Sequence, residues 1–198
     1  MKRPEFSPAY YRALAAAMQH HAESKTYSGR FLRPHAVPIR ELLTRRLCLS
    51  ILDYGCGKGE QYRWRSHSDE TGVPAGLSLE QFWGVMVRKY DPAWPEYSTF
   101  PEGPADLVIC THTLGSVPAI DLPAVIGEVS GLARKVLYVA ERVGPVRKRV
   151  FTTDPMPGYD RAGWIAALLE ARRGEAEIWL STSERGPAGK VTIRERIA

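Results

Sequence analysis

Two apolar runs constrain the fold most. Ala105–Thr111 reads ADLVICT and Val136–Glu141 reads VLYVAE, and both are almost continuously apolar. That is the pattern of central parallel strands buried on both faces. Between them, DLPAVIGEVSGLARK places Leu122, Val125, Ile126, Val129 and Leu132 on one helical face behind Asp121, the expected N-cap. No apolar run approaches the roughly 18 residues that a membrane-spanning helix needs, so no membrane partner is expected.

The flanking segments follow the same alternation. Ser7 is placed to cap a helix over PAYYRALAAAMQHH, with Pro8 at its first position. SKTYSGRFLRPH reads as a loop, and VPIRELLTRRL as an amphipathic helix on Ile39, Leu42 and Leu43. CLSILDY reads as a strand. The stretch from Arg63 to Gln81 reads as an irregular insertion, and FWGVMVRKY as a second strand that ends at DPAWPEY. Tyr97–Phe100 adds a very short strand. Asp160 caps a helix with Trp164, Ile165, Leu168 and Leu169 facing inward, and AEIWLSTS and KVTIRERIA close the chain as a hairpin.

Strand, helix, strand, helix and a terminal antiparallel hairpin define an α/β sheet with helices on both faces, seven-stranded if Tyr97–Phe100 counts. The 198 residues are expected to form one domain, with residues 1–47 as an N-terminal helical cap. Cys48, Cys56 and Cys110 form no CxxC pair, which suits free thiols in a reducing cytoplasm. The apolar stretch near the N-terminus, ALAAAM, is too short for a signal peptide. Net charge is +5 over residues 1–60, −4 over 61–141 and +4 over 142–198, so the basic ends permit a polyanionic partner without requiring one. The histidines lack metal-ligand spacing, and no metal is expected.

The stretch Ile51–Gly59, ILDYGCGKG, carries the functional signal: a strand, the acid Asp53, then Gly55, Gly57 and Gly59. A phosphate-binding loop requires a hydroxyl residue after the lysine, but Gly59 follows Lys58. A dinucleotide fingerprint needs one more residue before its third glycine, and an acid about 20 residues on. Asp69 and Glu70 lie near that distance, but in an irregular stretch. Leu52, Asp53, Gly55, Cys56, Gly57 and Gly59 resemble the first motif of the class I S-adenosylmethionine-dependent methyltransferases.

That resemblance implies a Rossmann-like, mostly parallel sheet and S-adenosyl-L-methionine as cofactor. It implies that Asp53 accepts from the cofactor ammonium, directly or through water, and that Tyr54, Gly55, Cys56, Gly57 and Gly59 lie against it. Asp91, at the tip of the second strand and followed by Pro92, would accept from the ribose hydroxyls, or would simply start a proline turn. Thr111, His112 and Leu114 fall in the loop after the fourth strand of the family pattern, where the usual acid and Glu-His pair are absent. His112 is the candidate base, or packs against the adenine. Tyr27 and Arg30 precede the core, where such enzymes fold a segment over the cofactor; Tyr27 would stack and Arg30 would meet the methionyl carboxylate, or the stretch is a plain surface loop. Arg142, Arg147, Lys148 and Arg149 lie on the substrate side and suit either a phosphate or carboxylate or a plain solvated loop.

The expected activity is methyl transfer to a small-molecule acceptor. Two alternatives stand beside it. Asp91–Trp94, DPAW, is similar to the signature of enzymes that methylate exocyclic amines of DNA bases, which suggests a nucleic-acid substrate. The other is a non-catalytic module that binds the cofactor and holds a polyanion.

Overall fold

The computed structural model describes residues 4–23, 30–67, 72–143, 158–186 and 189–198. Among these, six strands form one sheet: β1 (Ile51–Tyr54), β2 (Val87–Tyr90), β3 (Ala105–Thr111), β4 (Ala133–Arg142), β5 (Glu177–Gly186) and β6 (Gly189–Arg196). The spatial order is β2–β1–β3–β4–β5–β6. The first five are parallel and β6 returns antiparallel on β5. The architecture is therefore α/β with a mostly parallel sheet and a C-terminal antiparallel hairpin.

Strand alternation sorts the core into two layers. Leu52, Tyr54, Val108, Cys110, Leu137 and Val139 join one apolar cluster. Ile51, Leu107, Ile109, Val136, Tyr138 and Ala140 join the other. Helices α5 (Leu122–Gly131) and α6 (Arg161–Ala171) cover the first layer, and α2 (Ala36–Arg45) and α4 (Leu79–Trp83) cover the second. Of the N-terminal segment expected as a cap, α2 is thus a sheet-covering layer. Helix α1 (Pro8–Glu23) begins in the first layer, where Phe6 stacks on Tyr10 at 4.1 Å.

Several expectations are corrected. Tyr97–Phe100 is not a strand: Tyr97 ends a 3-10 turn that Pro95 begins, and the sheet has six described strands instead of seven. Of the expected strand over FWGVMVRKY, the first two residues, Phe82 and Trp83, end a helix instead. Ser78 and Gln81 form a reciprocal capping box at the start of α4, Gly84 ends it in the left-handed region, and β2 begins only at Val87. The box is an S-x-x-Q signal plainly present in the sequence. Leu169 is 40% exposed instead of facing inward, whereas Trp164 and Leu168 are buried. Asp160 caps α6 as expected, accepting from the Gly163 N–H at 2.7 Å.

Asp121 sits at the N-cap position of α5 but makes no side-chain cap bond. Its carboxylate instead accepts from the Ser7 N–H at 2.8 Å and the Ser7 hydroxyl at 2.6 Å. Ser7 Oγ in turn accepts from the Ala9 and Tyr10 N–H groups. The competing partner wins because it satisfies both oxygens of a buried carboxylate at once. This clasp ties the start of α1 to the start of α5. Asp121→Ala should cost about 2 kcal/mol in urea denaturation and should raise amide exchange selectively over residues 8–23. Unchanged protection of α1 would show that the clasp is not what holds it.

Candidate functional site

The C-terminal ends of four consecutive parallel strands open on one cavity of about 540 Å³. Gly55 and Gly57 follow β1, Asp91 and Pro92 follow β2, Thr111 ends β3 with His112 next to it, and Arg142 ends β4. β2 and β3 lie on opposite sides of β1, so the chain changes direction across the sheet there. That is where open α/β sheets leave a crevice for ligands. The volume falls in the range of small-molecule sites.

The floor of the cavity is built by backbone. Gly55, Gly57 and Gly59 all have positive φ. The Gly55 and Cys56 N–H groups both donate to the Tyr90 carbonyl, at 2.7 and 3.2 Å, and the Gly57 N–H donates to Asp91 Oδ2 at 2.7 Å. Three successive donors are thus committed to the tip of β2, and the loop presents no nest of free N–H groups for a phosphate. The room left by two of the glycines is filled from within. A Cβ on Gly55 would stand 2.1 Å from Thr113 Oγ1, and one on Gly59 would stand 2.7 Å from the Tyr97 ring.

Asp91 is 7% exposed and borders the cavity. Oδ2 takes the Gly57 N–H and Oδ1 takes the Ala93 N–H at 2.8 Å. Burial raises its pKa; these two bonds and the neighbouring His21 oppose that shift. Each oxygen keeps a second lone pair.

Asp53 is placed differently from the expectation. It is 1% exposed, does not border the cavity, and turns to the other face of the sheet. Its Oδ2 accepts from the Tyr62 hydroxyl at 2.7 Å and from Gln61 Nε2 at 3.1 Å, while Oδ1 has no hydrogen-bond partner. Gln61, on the short helix α3 (Glu60–Arg63), does border the cavity, and its Oε1 has no partner. Asp53 therefore reaches the site through Gln61. Burial pushes Asp53 up to about 6, against the hydrogen bonds from Tyr62 and Gln61.

The β3 loop depends on Glu141. This carboxyl is buried near the end of β4 and accepts from the Leu114 N–H at 2.8 Å. Burial pushes it up to about 7; bonds from the backbone of Leu114, Gly115 and Thr113 counter the shift. The loop so held sets His112 at φ 54°, a left-handed conformation that costs energy outside glycine. His112 packs edge-on against Phe31 at 5.1 Å.

The roof comes from the N-terminal region. Tyr10, Ala13, Leu14, Ala17, His20 and His21 recur at helical spacing and turn one face of α1 onto the cavity. A 3-10 turn from Arg30 to His35 adds Arg30 and Phe31.

Of the residues expected at the site, Arg30, Tyr54, Gly55, Cys56, Gly57, Asp91, Pro92, Thr111 and His112 are brought together around the cavity. Asp53, Gly59 and Leu114 are not: Leu114 is a core residue whose N–H serves Glu141. Tyr27, Arg147, Lys148 and Arg149 lie outside the described residues. Sequence reasoning missed the α1 stripe, Phe31, Gln61 and Glu141. Only the stripe had a legible signal, its spacing. Trp94 does not border the cavity; its ring lies 6.2 Å from that of His21 and 5.3 Å from Lys58 Nζ. Among the described residues, no helix is long and apolar enough to cross a membrane. No model of a known protein family matches the chain, and no curated protein matches it.

Both raised carboxyls hold protons in the folded chain at pH values where the unfolded chain has released them. Their stabilising effect is complete below the ordinary carboxylate range and is lost as pH rises through about 6 for Asp53 and about 7 for Glu141. The melting temperature, followed by calorimetry from pH 5 to 8, should fall across that window. Glu141→Gln should flatten the upper part of the fall, and a melting temperature that climbs over the same range would contradict the assignment.

Proposed function

We propose that the chain is an S-adenosylmethionine-dependent methyltransferase of Rossmann-like fold acting on a small-molecule acceptor. The observation that carries this reading is Asp91. Its carboxylate is fixed by two backbone N–H groups on the cavity wall at the tip of β2, and each oxygen keeps an accepting position. A pair of adjacent acceptors on a rigid mount suits a vicinal diol such as that of a ribose.

The other residues fit a nucleoside that carries no phosphate. The three committed N–H groups of the glycine loop offer nothing to a pyrophosphate. The α1 stripe supplies an apolar wall through Ala13, Leu14 and Ala17. Gln61 Oε1, oriented by Asp53, suits an ammonium. When bound, the cofactor supplies an electrophilic methyl group on a sulfonium. The chain's own part is to exclude water, to align the acceptor and, where the nucleophile carries a proton, to take it on His112 at the cavity wall.

The small-molecule acceptor is favoured over a nucleic acid by what lines the cavity and what does not. Helix α1 roofs the cavity, and Trp94, the aromatic that a flipped base would stack on in the DPAW reading, stands outside it. S-adenosylhomocysteine should bind the full chain in a calorimetric titration, and Asp91→Ala should weaken it at least tenfold, about 1.4 kcal/mol. Asp53→Ala should weaken it too, through loss of the Gln61 orientation. No binding at high micromolar concentration would sink the reading. A tritiated-methyl screen over metabolites, DNA and RNA then separates an enzyme from a module that only binds.

A further inference from the structure

The cavity has a second charged end, and Arg30, expected at the methionyl carboxylate, is part of it. Arg30 and Arg142 both border it, and both guanidiniums stand over the same ring: Arg30 at 5.6 Å and Arg142 at 5.0 Å from the Phe31 centroid. Phe31 is 42% exposed, so it forms an open platform. Neither arginine has a carboxylate partner within ion-pair distance among the described residues. The nearby acid, Glu141, is turned to the backbone of the β3 loop. Two cations gathered on one aromatic ring repel each other, and cation–π attraction recovers only part of that. The arrangement is completed by an anion, and the planar guanidinium fork matches carboxylate and phosphate oxygens in pairs.

The position separates this end from the diol acceptor. Asp91 follows β2 and Arg142 ends β4, three strand spacings away across the sheet, or about 14 Å. His112 lies on the Phe31 side, held in its strained backbone by the loop that Glu141 pins.

We propose that Arg30, Arg142 and Phe31 form an anion subsite that holds the carboxylate or phosphate of the methyl acceptor, with His112 beside it. The acceptor is therefore a small acid, not a neutral or cationic metabolite. The subsite stands on its own geometry; only the word acceptor rests on the methyltransferase reading.

Inorganic phosphate and benzoate, titrated into the full chain at constant ionic strength, test it. Both should raise the melting temperature of the wild type saturably. Arg142→Gln and Arg30→Gln should each weaken that response at least fivefold, and the double variant should abolish it. Both arginines are exposed, so circular dichroism should show wild-type folding. S-adenosylhomocysteine affinity should change less than threefold in Arg142→Gln. An absent response in the wild type, or an equal response in the double variant, would overturn the subsite. If Arg142→Gln instead weakens S-adenosylhomocysteine tenfold but spares its decarboxylated analogue, the arginines hold the amino-acid carboxylate of the cofactor, and the acceptor assignment is wrong. If phosphate and benzoate bind as expected while S-adenosylhomocysteine does not bind the wild type at all, the cofactor reading fails and the anion subsite stands.

Discussion

The stitching of the glycine loop to the tip of β2 governs the site. Gly55, Cys56 and Gly57 spend their N–H groups on the Tyr90 carbonyl and the Asp91 carboxylate. Those bonds fix the loop against β2 at the floor of the cavity. They also decide which ligands the loop can serve, because a loop with its donors committed offers close backbone approach but little attraction for a phosphate. The same carboxylate that holds the loop then faces the cavity with its remaining lone pairs.

Buried acids recur as the organisers of the walls. Asp91 holds Gly57 and Ala93, Glu141 holds the loop that carries His112, and Asp121 clasps Ser7 and with it the roof helix α1. Asp53 holds Gln61 and Tyr62. A buried carboxyl is costly unless hydrogen-bonded, and Asp91, Glu141 and Asp121 are bonded by donors of the segments they hold, whereas Asp53 keeps one oxygen without a partner. Loop position and carboxyl burial therefore stabilise each other. The strain at His112 is sustained by such a pairing.

Much of the scaffold was legible. ADLVICT and VLYVAE became β3 and β4 because a run apolar on both faces has few alternatives to a central strand. The periodicity of α5 placed all five expected residues in the core. Failures came where local signals competed. Phe82 and Trp83 suit a strand by composition, but the Ser78–Gln81 capping box and Gly84 set a helix there first. Tyr97–Phe100 has strand-like residues, yet it follows Pro95 in a tight turn and contributes no ladder. At the site, Asp91 and the first glycines were readable because strand-end acids and glycine loops have fixed positions along a strand. Asp53 was misplaced because strand alternation sends its side chain to the face opposite Tyr54, toward Tyr62.

The sequence alone determined the α/β class, the parallel core strands and the glycine loop after β1, since these follow from local periodicity and from backbone freedom at glycine. The tertiary structure decided which side chains meet. Asp121 serves Ser7 across 114 residues of chain, and Arg30 and Arg142 converge on Phe31 from separate elements. No local pattern encodes such meetings. They arise when the sheet order brings β4 beside β3 and lays the N-terminal segment across both, and only then does a set of unremarkable charges become a site.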